Sequence, residues 1–394
     1  MVAATSEPPT PSRLFTRAFI TLGIAELAYF VAQGLLIAIT PRFAAGPLGA
    51  DEAGVGFAIG AFAVTALLLR PYAGRAADRR GRRLLLVGGA LLSAIAIAAH
   101  AIAPSLAVLI GLRLLLGVAE AFFFVAAIAM VADLAPPGRA GEAMSYNSLA
   151  LYLGIAFGPG VGEMLLDAGG YPVAWLGGAA LAGAATVMAL SLRETGERAA
   201  DDEPLVLIHR GALLPSIGLF TGVAAMSGFL GFVPLYTAET LGIGGAGTVL
   251  LVFGMVVVVT RVVFARLPDR VPGFVLAAAA LLGVTFGLGL MWLFPTVVGL
   301  YAGAILTALG VAFMTPAFFT AIVARVRPAE RGVALGTTSL FIDLGFGGGP
   351  VITGLVAGAA GYAAGFGAVG LVALAGAIGT AFAAVARPSP AECG

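Results

Sequence analysis

Four ionisable residues stand where the chain is otherwise apolar: Glu26, Arg113, Glu120 and Asp343 each lie within a hydrophobic run long enough to cross a bilayer. A charge at the bilayer centre costs about 3 kcal/mol unless it is paired or faces a polar cavity, so these four are expected to share one. Burial raises the proton affinity of a carboxylate and a neighbouring guanidinium lowers it, so a carboxylate moved between wet and closed surroundings takes up and releases a proton. Glu26 and Glu120 are the first candidates for that exchange, with Asp343 as an alternative carrier or a substrate contact. Arg113 and Glu120 are seven residues apart, which places them on one helix face about 10 Å apart. Tyr29, Phe123, Asn147 and Tyr152 are expected to line the same cavity and, with the carboxylates, to contact a small-molecule substrate. Three carboxylates against one guanidinium would favour cationic or neutral cargo over anions.

The elements that carry these residues follow from composition. Apolar residues make up 60% of the 394 and charged residues only 10%, with a mean hydropathy of +1.05; soluble domains carry roughly 25% charged residues. The apolar runs are continuous, which selects membrane-crossing helices over strands. Twelve spans are predicted, at about 16–40, 53–73, 84–104, 106–134, 142–166, 171–192, 211–236, 246–266, 273–292, 295–324, 332–357 and 362–386. A disordered leader is expected over 1–12, six-helix bundles over 13–193 and 211–387, a polar linker over 194–210, and a tail over 388–394. All 21 basic residues are arginine, which removes lysine nucleophiles and Schiff-base chemistry. One cysteine, Cys393, excludes an internal disulfide, and His100 and His209 are too far apart in sequence to read as a metal motif, so neither a metal nor an organic cofactor is expected, protons being the only coupling species.

Arg70 to Arg83 holds six arginines and one aspartate in fourteen residues and reads as a loop in water. Arg70, Arg75, Asp78 and Arg79 recur 191 positions later as Arg261, Arg266, Asp269 and Arg270. Pro137–Pro159 aligns without a gap on Pro328–Pro350 at the same offset, pairing Tyr152 with Asp343. A parallel repeat of this kind builds two similar bundles about an axis along the membrane normal. With twelve spans, nearly every loop arginine falls on one side, which the positive-inside rule makes cytoplasmic, together with both termini.

Gly74-Arg-Ala-Ala-Asp78-Arg79-Arg-Gly81-Arg82-Arg83, in the loop between the second and third spans, resembles the signature of the major facilitator superfamily. Leu109-x-x-x-Arg113-x-x-x-Gly117 in the fourth span is similar to that family's proton-transfer pattern, with Leu116 in place of the usual glutamine and Glu120 in place of a small residue. Gly154-x-x-x-Gly158-Pro159-x-x-Gly162 in the fifth span resembles the antiporter signature, with Glu163 replacing its final glycine. The resemblance implies an all-α integral membrane fold of twelve helices in two pseudo-symmetric bundles, alternating access, and efflux in exchange for protons. Its rival is proton-coupled uptake, or facilitated passage, of a sugar or organic acid. Gly74, Asp78, Arg79, Gly81 and Arg82 are expected to form one gate, and the stripe Gly154, Gly158, Pro159 and Gly162 to form an interface between bundles that seals the cavity. Partners other than the substrate and the lipid bilayer are not expected; nucleic acid is excluded and a monomer in the inner (plasma) membrane is expected. No Ser/His/Asp or metal constellation supports an enzyme.

Overall fold

The computed structural model describes residues 13–136, 139–195, 208–327 and 330–385. The leader, most of the linker, the tail and Cys393 lie outside the described residues. What is described is helical: α1 (Arg17–Ala45), α2 (Glu52–Arg80), α3 (Arg82–Ala99) and α4 (Leu106–Leu134) are followed by one long stretch, Ala140–Ser191. That stretch breaks at Gly169 and Gly170, where φ turns to +73° at Gly170, a conformation glycine adopts without steric cost. The break yields α5 (140–168) and α6 (171–191), and Pro172 sits at the start of α6, where a missing N–H costs nothing. After the linker come α7 (Arg210–Leu235), α8 (Gly247–Val263), a single turn at Leu267–Arg270, α9 (Gly273–Leu293), α10 (Val297–Val323), α11 (Arg331–Ala360) and α12 (Tyr362–Val385). The twelve spans are present.

Side-chain caps set several starts. Thr16, Asp51, Ser105 and Thr296 each accept a backbone N–H three residues on, satisfying donors the first turn leaves free. Ser105 and Thr296 are 191 positions apart, so the repeat extends to the caps. Within each half the packing repeats as well: α1 lies along α5 as α7 lies along α11, and α2 against α4 as α8 against α10. The halves meet along two seams, α2 with α11 and α5 with α8. Large apolar side chains left exposed, Leu68, Val187, Phe286 and Phe382 among them, are surface a membrane would cover.

Two expectations are corrected here. Arg70 does not sit in a loop, since α2 continues ten residues beyond it; Arg261 lies within α8, inside its predicted span. The stripe of Gly154, Gly158 and Gly162 does not join the bundles; it packs on α1 of its own half. A Cβ on Gly154 would fall 2.5 Å from the Phe30 backbone, one on Gly158 2.6 Å from Gly34, and one on Gly162 3.0 Å from the Leu35 side chain. Pro159 is buried in the same helix. Spacing of four residues fixes a face but not its neighbour. Gly158→Leu is therefore expected to lower the melting temperature in detergent, by the overpacking cost of about 1–3 kcal/mol or more, rather than to open a gate.

Glycines that do make the inter-bundle seams lie elsewhere. Cβ atoms on Gly56 and Gly60 of α2 would meet the carbonyl oxygens of Pro350 and Gly347 on α11 at 2.5 and 2.4 Å. On the other seam, one on Gly254 of α8 would meet Ala156 of α5 at 2.4 Å. Backbones this close need residues without bulk. All these approaches lie on the side of Asp343 away from the arginine-rich end. Toward that end Gly74, Gly141 and Gly336 have nothing within 4 Å of where a side chain would begin.

Candidate functional site

Tyr29, Glu120 and Asp343 come together at mid-depth with Arg113 within electrostatic reach of Glu120, and Glu26 lies one turn of α1 from Tyr29, but not as the sequence arranges them. Asp343 on α11 is paired with Arg70 on α2 of the opposite half: Arg70 Nη2 donates to Oδ1 at 2.8 Å. Arg70 Nε lies 2.6 Å from Oδ2, an electrostatic contact whose angle falls outside that of a hydrogen bond. The side chains are 13% and 2% exposed. The Arg70 guanidinium also stacks 4.7 Å above the Phe124 ring of α4 and lies within electrostatic reach of Glu120.

Glu120 accepts a hydrogen bond from Tyr29 Oη at 2.9 Å. Its side chain is partly buried. Phe123, expected on the cavity wall, is instead fully buried and stacked on Tyr29 at 3.7 Å between ring centres; it fixes the tyrosine that holds Glu120. Glu26 is completely buried, with the Asn147 side chain of α5 beside it.

Arg113 pairs with neither carboxylate. Its Nε and Nη2 donate to the carbonyls of Ala58 and Ile59 on α2 at 3.2 and 3.0 Å, and its guanidinium lies over Phe62. A Cβ on Gly117 would fall 1.9 Å from Phe62 O, so Arg113 and Gly117, one turn apart, pack α4 against α2. Arg113 positions the helix that carries Arg70.

Tyr152 completes the symmetry. It is the repeat mate of Asp343, and its hydroxyl accepts from Arg261 Nη2 at 2.8 Å, with the guanidinium 4.2 Å from the ring centre. Arg261 is in turn the repeat mate of Arg70. Thus the two seams carry equivalent arginines, one facing a carboxylate and the other a phenol. Sequence reasoning missed both arginines because their basic neighbours read as water-exposed. The repeat itself held the signal, since one offset relates Arg70 to Arg261 and Asp343 to Tyr152. Counting them, mid-depth holds three guanidiniums as well as three carboxylates, so the excess negative charge expected there is absent.

At the arginine-rich end, Gly81 ends α2 with φ +102°. The Glu194 carboxylate accepts from the backbone N–H of Arg82 and Arg83 at 2.8 and 3.1 Å, capping α3. Arg82 pairs with Asp133 of α4, and Thr195 Oγ1 donates to Asp133 at 2.7 Å. Asp78, half exposed, lies 3.8 Å from Arg82. The partners described for Asp78 and Arg82 belong to their own half. Gly74 faces open space. Among the described residues no group of three or more potential metal ligands occurs.

An internally duplicated helical membrane protein, with charged side chains buried where its halves meet, has the architecture of a solute transporter. The family model described as Major Facilitator Superfamily matches residues 22–345, and the chain belongs to that superfamily: it is a multi-pass membrane transporter and not an enzyme. An uncharacterised MFS-type transporter of Salmonella typhimurium is 29% identical over 350 residues, covering 86% of this chain and 90% of that protein. One from Burkholderia mallei is 30% identical over 375 residues, covering 90% and 89%. Among solved structures, the human organic anion transporter MFSD10 (TETRAN) superposes with a TM-score of 0.72 at 19% identity, covering 95% of this chain and all of that one. A bacterial homologue of the human lysosomal transporter Spinster, inward-facing and unoccupied, gives 0.71 at 15% identity, covering 95% and 96%.

Proposed function

We propose that this protein is a proton-coupled exporter of small amphipathic molecules, working by alternating access as a monomer in the inner membrane with its arginine-rich face and both termini in the cytoplasm. The observation that carries the reading is the Arg70–Asp343 pair, which ties the halves together at mid-depth beside Glu120. Protonating Asp343 or Glu120 weakens the attraction for Arg70, and a cationic group on the cargo competes for the same carboxylates. Proton and cargo then exclude one another, which is the logic of exchange. The closely packed seams on the side away from the arginine-rich end correspond to a state shut on that face. In that state Asp78 and Arg82 are paired within their own half, and they engage the other half when the cytoplasmic side shuts. Glu26 beside Asn147 is a further proton site on the path.

Arg70 supports a second reading, cotransport of an organic acid with a proton: once Asp343 is neutral, the freed guanidinium can bind a carboxylate. Purified protein in liposomes under an imposed pH gradient separates the two, using cationic, neutral and anionic fluorescent probes. Export predicts that cationic or neutral probe moves against the proton flow. Movement of anionic probe alone, with the protons, overturns it in favour of cotransport.

A further inference from the structure

Helix α8 begins without a cap of its own. No side chain near its start accepts the first backbone donors, whereas α2, its repeat mate, is capped by Asp51. The residue 191 positions after Asp51 is Gly242, so the second half lacks that carboxylate. The missing acceptor comes from the other half. Glu163 of α5 reaches across the seam and accepts from the backbone N–H of Ala246 at 2.6 Å and of Gly247 at 2.9 Å. Its own repeat mate is Gly354, which has no side chain and packs on the carbonyl of Glu52 at the start of α2. One seam is thus closed by backbone on backbone, the other by a carboxylate on a helix N-terminus.

The local sequence makes room for that carboxylate. A Cβ on Gly245 would lie 2.3 Å from Glu163 Oε2, and one on Gly247 2.6 Å from it. Arg42, in the last turn of α1, stands 3.9 Å from Glu163 Oε1 and helps to aim the carboxylate. Glu163 occupies the position where the glycine-rich pattern of α5 departs from the signature it resembles, so a residue that looks like a defect in that pattern has a defined partner.

We propose that Glu163 is the outer-gate clasp of the transport cycle, a side chain of the N-terminal half that caps a helix of the C-terminal half and is withdrawn each time the face opposite the arginine-rich one opens. The proposal rests on the alternating-access reading above. A cap formed within one helix stabilises that helix in every state, whereas a cap supplied from across the seam stabilises only the state in which the seam is shut. Removing it should shift the closed-to-open ratio of that face roughly tenfold, the factor that corresponds to losing one helix cap. Glu163→Gln, which keeps an acceptor oxygen but not the charge, should shift it less than Glu163→Gly.

Spin-label distances in liposomes test this on the full chain carrying Cys393→Ser. One label pair sits at the repeat-related, exposed positions Ile102, in the turn after α3, and Leu293, at the outer end of α9; the other sits at Ala132 and Ala324, near the arginine-rich end. In the unsubstituted background, an acid step applied outside should lengthen one pair and shorten the other. Glu163→Gly should produce the same opposed change without the step, with Glu163→Gln between the two. If the background protein responds and neither variant differs from it, the clasp is refuted and alternating access stands. If the outer pair lengthens in Glu163→Gly while the inner pair stays fixed, Glu163 only pins a local segment and the clasp is refuted again. If the background protein never shows opposed changes, the transport reading fails and the clasp fails with it.

Discussion

Asp343→Asn is expected to abolish pH-driven transport and to lower thermal stability together. The substitution removes the partner of Arg70, whose guanidinium is enclosed on α2 beneath Phe124. A guanidinium does not shed its proton in a protein, so the charge stays, uncompensated, at mid-depth. Breaking one side of a buried pair costs about 3–5 kcal/mol, enough to lower the melting temperature of purified protein measurably. The decisive comparison is the double variant Arg70→Gln with Asp343→Asn. Two neutral amides restore hydrogen bonding across the seam, so melting should return most of the way, while flux under a pH gradient should stay at the level of empty liposomes. If the double variant transports normally, the pair is only a structural tie. If Asp343→Asn alone melts like the parent, Arg70 has another partner and the seam is misread.

Glu120→Gln is expected to have the opposite profile: full stability with uncoupled transport. A glutamine still accepts the Tyr29 hydroxyl that Glu120 accepts at 2.9 Å, and Phe123 still holds the tyrosine in place, so the local packing survives. What is lost is the ability to change charge next to Arg70. Flux driven by the pH gradient should fall to background, while exchange of labelled for unlabelled cargo, which needs no net proton movement, should persist. Unchanged gradient-driven flux would remove Glu120 from the mechanism and leave Asp343 or Glu26 as the carrier.

The contrast between these variants also shows what the sequence could and could not disclose. The duplication was open to reading because one offset relates the paired basic stretches and aligns Pro137–Pro159 on Pro328–Pro350 without a gap. Glu26, Glu120 and Asp343 were identifiable as buried from the apolar runs around them. Arg70 was not, because it opens a run of six arginines that reads as a loop in water, whereas a helix continues as long as its charged side chains find partners. Only the fold shows that one such partner lies on α11, 273 residues away. Arg113 was assigned to the carboxylates because it shares a helix with Glu120; its actual acceptors are two carbonyls of α2, groups that carry no sequence signature. The same limit applies to Gly154 and Gly158, whose spacing announces a close approach without saying to what. For Glu163 the clue was a departure from a pattern, and its meaning required the start of α8 to be placed beside it.

The most direct measurement asks whether the centre of the molecule is reached from each side in turn. With Cys393→Ser removing the native thiol, a cysteine at Phe124, the ring that covers Arg70, is probed with a membrane-impermeant thiol reagent applied to one face of oriented liposomes at a time. Alternating access predicts labelling from the arginine-rich face at rest, and from the opposite face once that side is acidified or Glu163→Gly is introduced, with protection from the first face rising in parallel. Labelling from a single face under every condition, or from both faces at once, would contradict it.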